Sequence, residues 1–150
     1  MAALDVDIEI EQGATFTLGF VYYEPTLDVD GNVVLDTDGN PVPGDPKDLT
    51  GCTARMQLRA RVGDTEAIVT ATSEAADSED GFGGRITLGG NTGRVDIVLT
   101  DADTDLVTVK KGVYDLEIEY PIQSGELRPY VERVLMGAFT NTLNVTKVDT

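Results

Sequence analysis

The stretch Cys52-Thr-Ala-Arg-Met-Gln-Leu-Arg-Ala-Arg61 decides the fold class, because apolar and polar residues alternate along it without interruption. The apolar set contains Cys52, Ala54, Met56, Leu58 and Ala60, and the polar set contains Thr53, Arg55, Gln57, Arg59 and Arg61. Successive side chains of a β-strand point to opposite faces, so this stretch predicts a strand with one apolar and one basic face. Cys52 is interpreted as a small buried thiol on the apolar face.

The same period-two pattern recurs along most of the chain. It predicts strands over Val6 to Ile10, Phe16 to Tyr22, Ile68 to Ala71 at a sheet edge, Ile86 to Leu88, Val95 to Leu99, Tyr114 to Tyr120 and Leu127 to Thr140. The glycine-rich residues 89–93 predict a hairpin turn, and residues 73–84 a polar loop. Residues 101–106 carry acidic and hydroxyl groups suited to capping one helical turn. Gly137 is expected to form a bulge.

About seven or eight short strands separated by turn residues are typical of an all-β protein, here an antiparallel immunoglobulin-like β-sandwich. A chain of 150 residues fits one domain, residues 1–150, with an extended loop insertion at 24–47 and a C-terminal arm at 141–150. Tyr114 follows the predicted helical turn and resembles the tyrosine corner of such sandwiches, whose hydroxyl bonds backbone a few residues upstream. The alternative is that Tyr114 is simply an inward aromatic residue of a strand.

Charge and residue usage exclude several classes of function. Acidic residues outnumber basic ones by 27 to 11, giving a formal net charge of −16 at pH 7. That charge repels phosphate backbones and anionic lipids, so we expect no nucleic-acid partner and no membrane binding. The chain has no histidine and one cysteine, so the usual zinc, copper and haem ligand sets and the histidine-dependent catalytic arrangements are missing. We expect no cofactor and no enzymatic activity.

The insertion contains a tandem repeat, Leu27-Asp-Val-Asp-Gly-Asn-Val-Val34 followed by Leu35-Asp-Thr-Asp-Gly-Asn-Pro-Val42. One hypothesis is a calcium site, because carboxylate and amide oxygens recur at every second position, at Asp28, Asp30, Asn32, Asp36, Asp38 and Asn40. An EF-hand loop needs glycine at its sixth position, however, where this chain has Val33 and Pro41. Two Asp-Gly turns at Gly31 and Gly39 are therefore favoured over a calcium site.

The scarce basic residues are grouped. Arg55, Arg59 and Arg61 are predicted to share one face of a strand, and Arg128 and Arg133 join them if the final strand lies nearby. The favoured interpretation is a solvated face in which arginines pair with the carboxylates of Asp115, Glu117 and Glu119, at about 0.2–1 kcal/mol for each pair. The alternative is a docking stripe for an acidic partner or a second copy of the chain, because arginine is enriched at interfaces.

Four segments of the chain carry a family resemblance, namely Asp7 to Thr17, Asp48 to Arg59, Tyr114 to Ile118 and Arg133 to Gly137. They resemble a family of small virion proteins of tailed bacteriophages, whose members are usually found among tail, baseplate and tail-fibre genes. The similarity covers nearly the whole chain apart from the insertion. The chain departs from the family at Cys52, where members commonly carry an aromatic residue, and in the duplicated Asp-Gly segment.

The resemblance implies a non-enzymatic structural role in the phage particle, with other virion proteins and copies of the chain itself as partners. It implies a tail or baseplate protein or a fibre-anchoring adaptor, present as a symmetric homo-oligomer. Capsid decoration is the alternative, and a receptor- or glycan-binding module of the fibre is a further one. The N-terminal residues show no signal-peptide pattern, so we expect synthesis in the host cytoplasm and location in the virion.

Overall fold

The computed structural model describes residues 3–74 and 85–145. In these ranges the strands are β1 (Leu4–Asp5), β2 (Ile8–Glu11), β3 (Phe16–Val21), β4 (Tyr23–Pro25), β5 (Pro43–Pro46), β6 (Thr53–Arg59), β7 (Val69–Thr72), β8 (Ile86–Leu88), β9 (Arg94–Leu99), β10 (Lys111–Glu119) and β11 (Val131–Thr142). A short α-helix, α1, spans Asp101–Asp105. Most of the predicted polar loop at 73–84 lies outside the described residues.

The larger sheet has the strand order β1–β11–β10–β6–β7, and β2 also pairs with β11. Strands β10, β6 and β7 run antiparallel to their neighbours, whereas β1 and β2 run parallel to β11. The predicted antiparallel sandwich is therefore confirmed, with a local exception at the N-terminal strands β1 and β2. Leu4 lies opposite Leu135 and Ile8 opposite Phe139, so β1 and β2 follow one line along β11 with a break at residues 6–7.

The smaller sheet has the order β3–β9–β8 and is antiparallel throughout. Its β8–β9 hairpin turns through a 3-10 segment at Gly90–Thr92, which confirms the predicted glycine-rich turn. If β1 and β2 are counted as one interrupted strand, the two sheets contain eight strands in the described ranges. This number agrees with the predicted seven or eight. The chain is an all-β, immunoglobulin-like sandwich.

The inward residues of the two sheets form one apolar core. The alternation predicted over β6 is confirmed, because Ala54, Met56 and Leu58 are almost completely buried. They pack with residues of the other strands, including Ile10, Val69, Ile97, Leu99, Leu116, Ile118 and Phe139. Burial of each large aliphatic side chain contributes about 1.5–3 kcal/mol, so the packed faces are the main source of stability.

Tyr114 is not a tyrosine corner. Its hydroxyl donates to the backbone carbonyl of Val6, which is 108 positions away in sequence, and no bond joins it to backbone a few residues upstream. Val6 lies at the break between β1 and β2, where its own N–H donates to the Met136 carbonyl at 2.9 Å. The alternative interpretation is correct, because Tyr114 is a buried inward residue of β10.

The bulge predicted at Gly137 lies elsewhere. Gly137 pairs in register with Tyr114, whereas the β10–β11 register shifts between Leu116 and Glu117 and leaves Val134 as the extra residue. Val134 and Leu135 are consecutive and both buried. Glycine occupies position 137 for a different reason, because a Cβ there would clash with the Val6 carbonyl.

Helix α1 confirms the predicted capped turn. Its N-cap is Thr100, which forms a reciprocal capping box with Asp103. The Thr104 hydroxyl donates to the Ala14 carbonyl at 2.9 Å, so the helix is fastened to the chain just before β3. No helix within the described ranges is long and apolar enough to cross a bilayer.

The insertion predicted as an extended loop at 24–47 is ordered. Strands β4 and β5 pair antiparallel at its base. The two repeats fold as consecutive hairpins, each closed by one isolated bridge, Leu27 with Val33 and Leu35 with Pro41. Thr26, Val34 and Val42, eight residues apart, form a closed ring of backbone bonds in which each N–H donates to the carbonyl of another member at 2.8–2.9 Å.

Two predicted boundaries near the C-terminus are wrong. Strand β11 begins at Val131 rather than Leu127, which is 98% exposed in the preceding loop. It continues to Thr142, so residues 141–142 belong to the sheet and not to a C-terminal arm. Asn141 is buried, and its side-chain amide donates to the carbonyls of Val107 and Val109 at 2.8 and 3.0 Å. Residues 146–150 of the predicted arm lie outside the described residues.

Candidate functional site: the arginine face

The outer face of the larger sheet carries three of the five predicted partner-contact arginines. We use the name arginine face for the outward residues of its central strands, Arg133 on β11, Asp115, Glu117 and Glu119 on β10, and Arg55, Gln57 and Arg59 on β6. In register, Glu117 lies opposite Arg55 on one neighbouring strand and opposite Arg133 on the other. Charges of alternating sign therefore run across the sheet at this level.

Arg133 reaches this face because of the bulge at Val134. Its guanidinium Nε lies 3.3 Å from Asp115 Oδ2 and its Nη2 lies 4.0 Å from Glu117 Oε1. The Arg133 side chain is 50% exposed, and both carboxylates are at least one-third exposed. Solvent-exposed pairs of this kind contribute about 0.2–1 kcal/mol each, so they orient the side chains more than they stabilise the fold.

Arg55 and Arg59 differ in whether their guanidinium groups form hydrogen bonds within the fold. Arg59 donates through Nη2 to Gln57 Oε1 at 2.7 Å and through Nη1 to the Asp64 carbonyl at 2.9 Å. Arg55 is exposed and has no hydrogen bond or ion pair within 4.0 Å in the described part of the chain. Of the two, Arg55 is the guanidinium more accessible to a partner.

The other two predicted arginines do not belong to this face. Arg61 lies two residues beyond the end of β6 in a turn, and its backbone N–H donates to Asp64 Oδ2 at 3.1 Å. Arg128 lies in the exposed loop before β11. The prediction that Arg55, Arg59 and Arg61 share one strand face is wrong for Arg61, because the strand ends at Arg59 and the chain turns.

Two shallow grooves lie along the arginine face. The smaller, of about 200 Å³, has Arg55 beside Glu74, Glu117 and Glu119. The larger, of about 510 Å³, is bounded by Arg59 and Arg133, and by Asp5 and Asp7 from the N-terminal line. Its lining also includes the apolar residues Val62, Val113, Met136 and Ala138. Both grooves combine charges of opposite sign, which suits a partner surface of alternating charge.

A second polar cluster lies at the end of the sandwich near the insertion, and the sequence analysis did not find it. Tyr22 and Tyr120 both donate to Glu132 Oε1, at 2.6 and 3.2 Å. Burial, together with the Glu132 carboxylate, raises the pKa of both phenols. Lys47 lies 5.3 Å from the centre of the Tyr120 ring and 3.1 Å from Glu24 Oε1, so the cluster also fastens the base of the insertion.

No residue type signalled this cluster in advance. Glu132 occupies an inward position at the end of β11, because the bulge at Val134 reverses the alternation before it. Its carboxylate is satisfied there by the two phenol donors. Tyr130 packs against Tyr120 with ring centres 5.7 Å apart and is 58% exposed. The cluster joins both sheets and the insertion at one end of the molecule.

The remaining candidate ligands and nucleophiles are the acidic turns of the tandem repeat and Cys52. Asp28 Oδ1 accepts from the N–H groups of Asp30 and Asn32, both at 2.9 Å, as expected for an Asp-Gly turn. Within residues 3–74 and 85–145, no group of three or more acidic or cysteine side chains is placed to hold a metal ion. Cys52 is only half-buried, just before β6, and burial raises the pKa of its thiol.

Comparison with known proteins adds little to this geometry. No family model matches the chain, and no curated protein matches it. A similar solved structure is a chain described as Tim-1, which is 12% identical, with the alignment covering 99% of this chain and 100% of that chain at a TM-score of 0.37. A likeness of this size carries no functional argument, and the fold class follows from the strand order and register described above.

Proposed function

We propose that the protein is a non-enzymatic structural component of a tailed bacteriophage particle, a tail or baseplate protein or a fibre-anchoring adaptor. Support comes from the four segments that resemble the virion family, because each of them contributes to a strand of the larger sheet that carries the arginine face, namely β2, β6, β10 and β11. The proposed partners are other virion proteins and further copies of the chain. Its proposed location is the assembled virion.

The arginine face is the observation that carries this proposal. A stripe of exposed charges of both signs, held in fixed register by three paired strands, favours one orientation of a partner more than it adds affinity. Because the exposed pairs of Arg133 are worth only about 0.2–1 kcal/mol each, a partner carboxylate can replace Asp115 or Glu117 at small cost. Arg55 offers a guanidinium that the described part of the fold leaves available.

Retention on purified particles tests the proposal. The wild-type chain is expected to sediment with intact particles, and labelled chain is expected at the tail or baseplate in low-resolution images. Arg55→Ala is expected to weaken retention, because it removes the accessible guanidinium. Arg128→Ala is the matched control, since it removes the same charge from an exposed loop residue that does not belong to the face.

Three outcomes would overturn the proposal in different ways. A chain that never sediments with particles is not a virion component. Density on the head lattice identifies a capsid decoration protein instead. Specific glycan binding that is lost in Tyr130→Ala identifies a fibre recognition module, for which Tyr23 and Tyr130 are the exposed aromatic side chains within residues 3–74 and 85–145. Equal retention of the Arg55 and Arg128 variants would show that the arginine face is not the contact surface.

A further inference from the structure

Strand β3 is the edge of the smaller sheet and lacks the usual protection of an edge strand. It pairs with β9 on one side, and no strand of the described chain pairs with it on the other. It is six residues long, whereas the edge strands β7 and β8 have four and three. Natural proteins keep exposed edges short, charged or interrupted, because unpaired N–H and C=O groups otherwise bind another strand.

The backbone groups that β3 directs away from β9 follow from the ladder geometry. Tyr22 N–H donates to the Gly93 carbonyl at 2.8 Å, and antiparallel residue pairs alternate between bonded and non-bonded. Phe16, Leu18 and Phe20 therefore bond to β9, while Thr17, Gly19 and Val21 point outward. Within residues 3–74 and 85–145, no hydrogen bond engages the backbone of these three outward residues.

The charge distribution distinguishes β3 from the rest of the surface. Residues 12–23 contain no charged side chain, in a protein with 38 charged residues among 150. A similar uncharged run, residues 134–145, forms most of β11, which has strand neighbours on both sides. The N-terminal strand β2 carries Glu9 and Glu11. Strand β3 thus has the composition of an interior strand but pairs on one side only.

The inward side chains of β3 point to the same conclusion. Phe16, Leu18 and Phe20 pack against the core but are only partly buried. A strand added beside β3 would cover their remaining exposed surface. On the outer face, the Arg94–Asp96 ion pair, at 2.8 Å, lies over Gly19, so the charges at the centre of the strand are paired. At the start of the strand, Glu9 and Glu11 of β2 line a groove with Thr17.

We propose that β3 pairs antiparallel with β3 of a second copy of the chain about a two-fold axis at Gly19. Thr17 then lies opposite Val21 of the second copy, and Leu18 opposite Phe20 of the second copy. The arrangement is self-complementary, as a two-fold interface requires, and joins the two small sheets into one. Two copies that each carry −16 repel overall, so contact through the uncharged strand is the arrangement that their charge favours.

The test uses the purified full chain without particles. Sedimentation velocity over a concentration series is expected to show a monomer–dimer equilibrium that shifts to dimer with added salt, because salt screens the repulsion between acidic copies. Thr17→Pro removes an outward N–H that β9 does not use, and it is expected to weaken the dimer roughly tenfold or more. Thr17→Val keeps the N–H and is the matched control, with dimerisation expected to be unchanged.

Amide exchange of the wild-type chain gives a second measurement in case the proline variant does not fold. Exchange at Thr17, Gly19 and Val21 is expected to slow as concentration rises. A monomer at every concentration and salt level would overturn the pairing, as would a folded Thr17→Pro variant that dimerises like wild type. Exchange at these residues could instead be slow at every concentration and become fast on deletion of residues 146–150. That result would show that β3 pairs with the C-terminal residues of its own chain and not with a second copy. Failure of the particle-retention assay and failure of the dimerisation assay are distinguishable. The first needs purified particles, whereas the second needs only the purified chain.

Discussion

The Tyr114 hydroxyl and the Val6 carbonyl form a hydrogen bond across the larger sheet, where the N-terminal line breaks between β1 and β2. Val6 also donates its N–H to the Met136 carbonyl, so both of its backbone groups are satisfied at a point where the regular ladder is interrupted. Gly137 lies opposite Tyr114 and leaves room for the Val6 carbonyl. Three strands, β1, β10 and β11, meet at this contact.

Tyr114→Phe is expected to destabilise the fold, because it leaves the Val6 carbonyl without its phenol donor. The expected loss in the free energy of unfolding is about 1 kcal/mol, and up to about 3 kcal/mol if the carbonyl stays buried. Denaturant unfolding followed by circular dichroism measures it. Tyr23→Phe is the control, because Tyr23 is 44% exposed and its change is expected to leave stability within error. Equal stability of both variants would show that the bond contributes nothing.

The same bond predicts how stability depends on alkaline pH. Burial first, and the nearby carboxylates of Asp7 and Asp5 next, raise the pKa of Tyr114 to about 12. A phenol with a raised folded-state pKa contributes stability that is fully present below its unfolded pKa of about 10 and is lost as pH rises towards the folded value. Wild type is therefore expected to lose stability over this range more steeply than Tyr114→Phe. Parallel pH profiles of the two proteins would contradict the assignment.

Gly137→Ala tests why glycine occupies the position opposite Tyr114. The added Cβ would clash with backbone, namely the Val6 carbonyl, and not with the end of a flexible side chain. A destabilisation of about 1–3 kcal/mol is expected from such overpacking. Thr140→Ala, at an exposed position of the same strand, is the control and is expected to have little effect. In a Tyr114→Phe background the penalty at Gly137 should shrink, because Val6 is then freer to move.

The elements that sequence analysis predicted well are those that depend on local pattern. The alternation from Thr53 to Arg59 needs only the period of a strand, and the turn around residues 89–93 needs only adjacent glycines. Cys52 and Ala60, at the two ends of the predicted stretch, lie outside the strand and are only partly buried. The sites it missed join distant parts of the chain. Tyr114 bonds a carbonyl 108 positions away, and Glu132 is made acceptable by Tyr22, which lies 110 positions away.

The bulge at Val134 shows why the arginine face could be predicted only in part. One extra residue reverses the inward and outward positions of everything before it in β11. Arg133 therefore faces the carboxylates of β10, and the predicted pairing with Asp115 and Glu117 is present. No residue type marks Val134 as the bulge, whereas Gly137 looked suitable for one. Arg61 was misplaced because alternation continues past Arg59 although the chain turns.

Asp103 predicts the response to acid. Burial alone would raise the pKa of this carboxyl, but the Arg85 guanidinium and Thr100 offset it and hold the pKa below its usual range. A depressed folded-state pKa gives stability that is present above the unfolded pKa, about 3.9, and is lost as pH falls through the folded value. Arg85 Nε lies 3.0 Å from Asp103 Oδ2, and the Asp103 side chain is only 4% exposed.

Asp103→Asn is therefore expected to cost roughly 1.5–3 kcal/mol at neutral pH, where wild type has a charge-assisted bond and the variant has not. The difference between the two proteins should narrow as pH falls below about 4, because protonation removes the wild-type advantage. Thermal or denaturant unfolding across this pH range measures the difference. Asp101→Asn, at an exposed position of the same helix, is the control and should track wild type. A difference that stays constant with pH would rule out the ionised carboxylate as the cause.

The tandem repeat offers a prediction with its control inside the same molecule. Asp28 Oδ1 accepts from Asp30 and Asn32, and Asp36 Oδ1 accepts from Asp38 and Asn40 at 2.9 and 3.0 Å, so the two turns are copies in geometry as well as in sequence. Asp28→Ala is expected to speed amide exchange at residues 30 and 32 and to leave residues 38 and 40 unchanged. Asp28→Asn keeps an accepting oxygen and should preserve both turns.

Titration with calcium tests whether the two Asp-Gly turns also form a cation-binding site. The Oδ1 atoms of Asp28 and Asp36 already accept two backbone N–H groups each, so calorimetric titration with calcium is expected to give no heat of micromolar affinity. Heat with such an affinity, abolished equally by Asp28→Asn and Asp36→Asn, would show instead that the carboxylate charges gather a cation and that the turns are its scaffold. Because Asn preserves the turn but not the charge, that variant pair distinguishes a ligand from a hydrogen-bond acceptor.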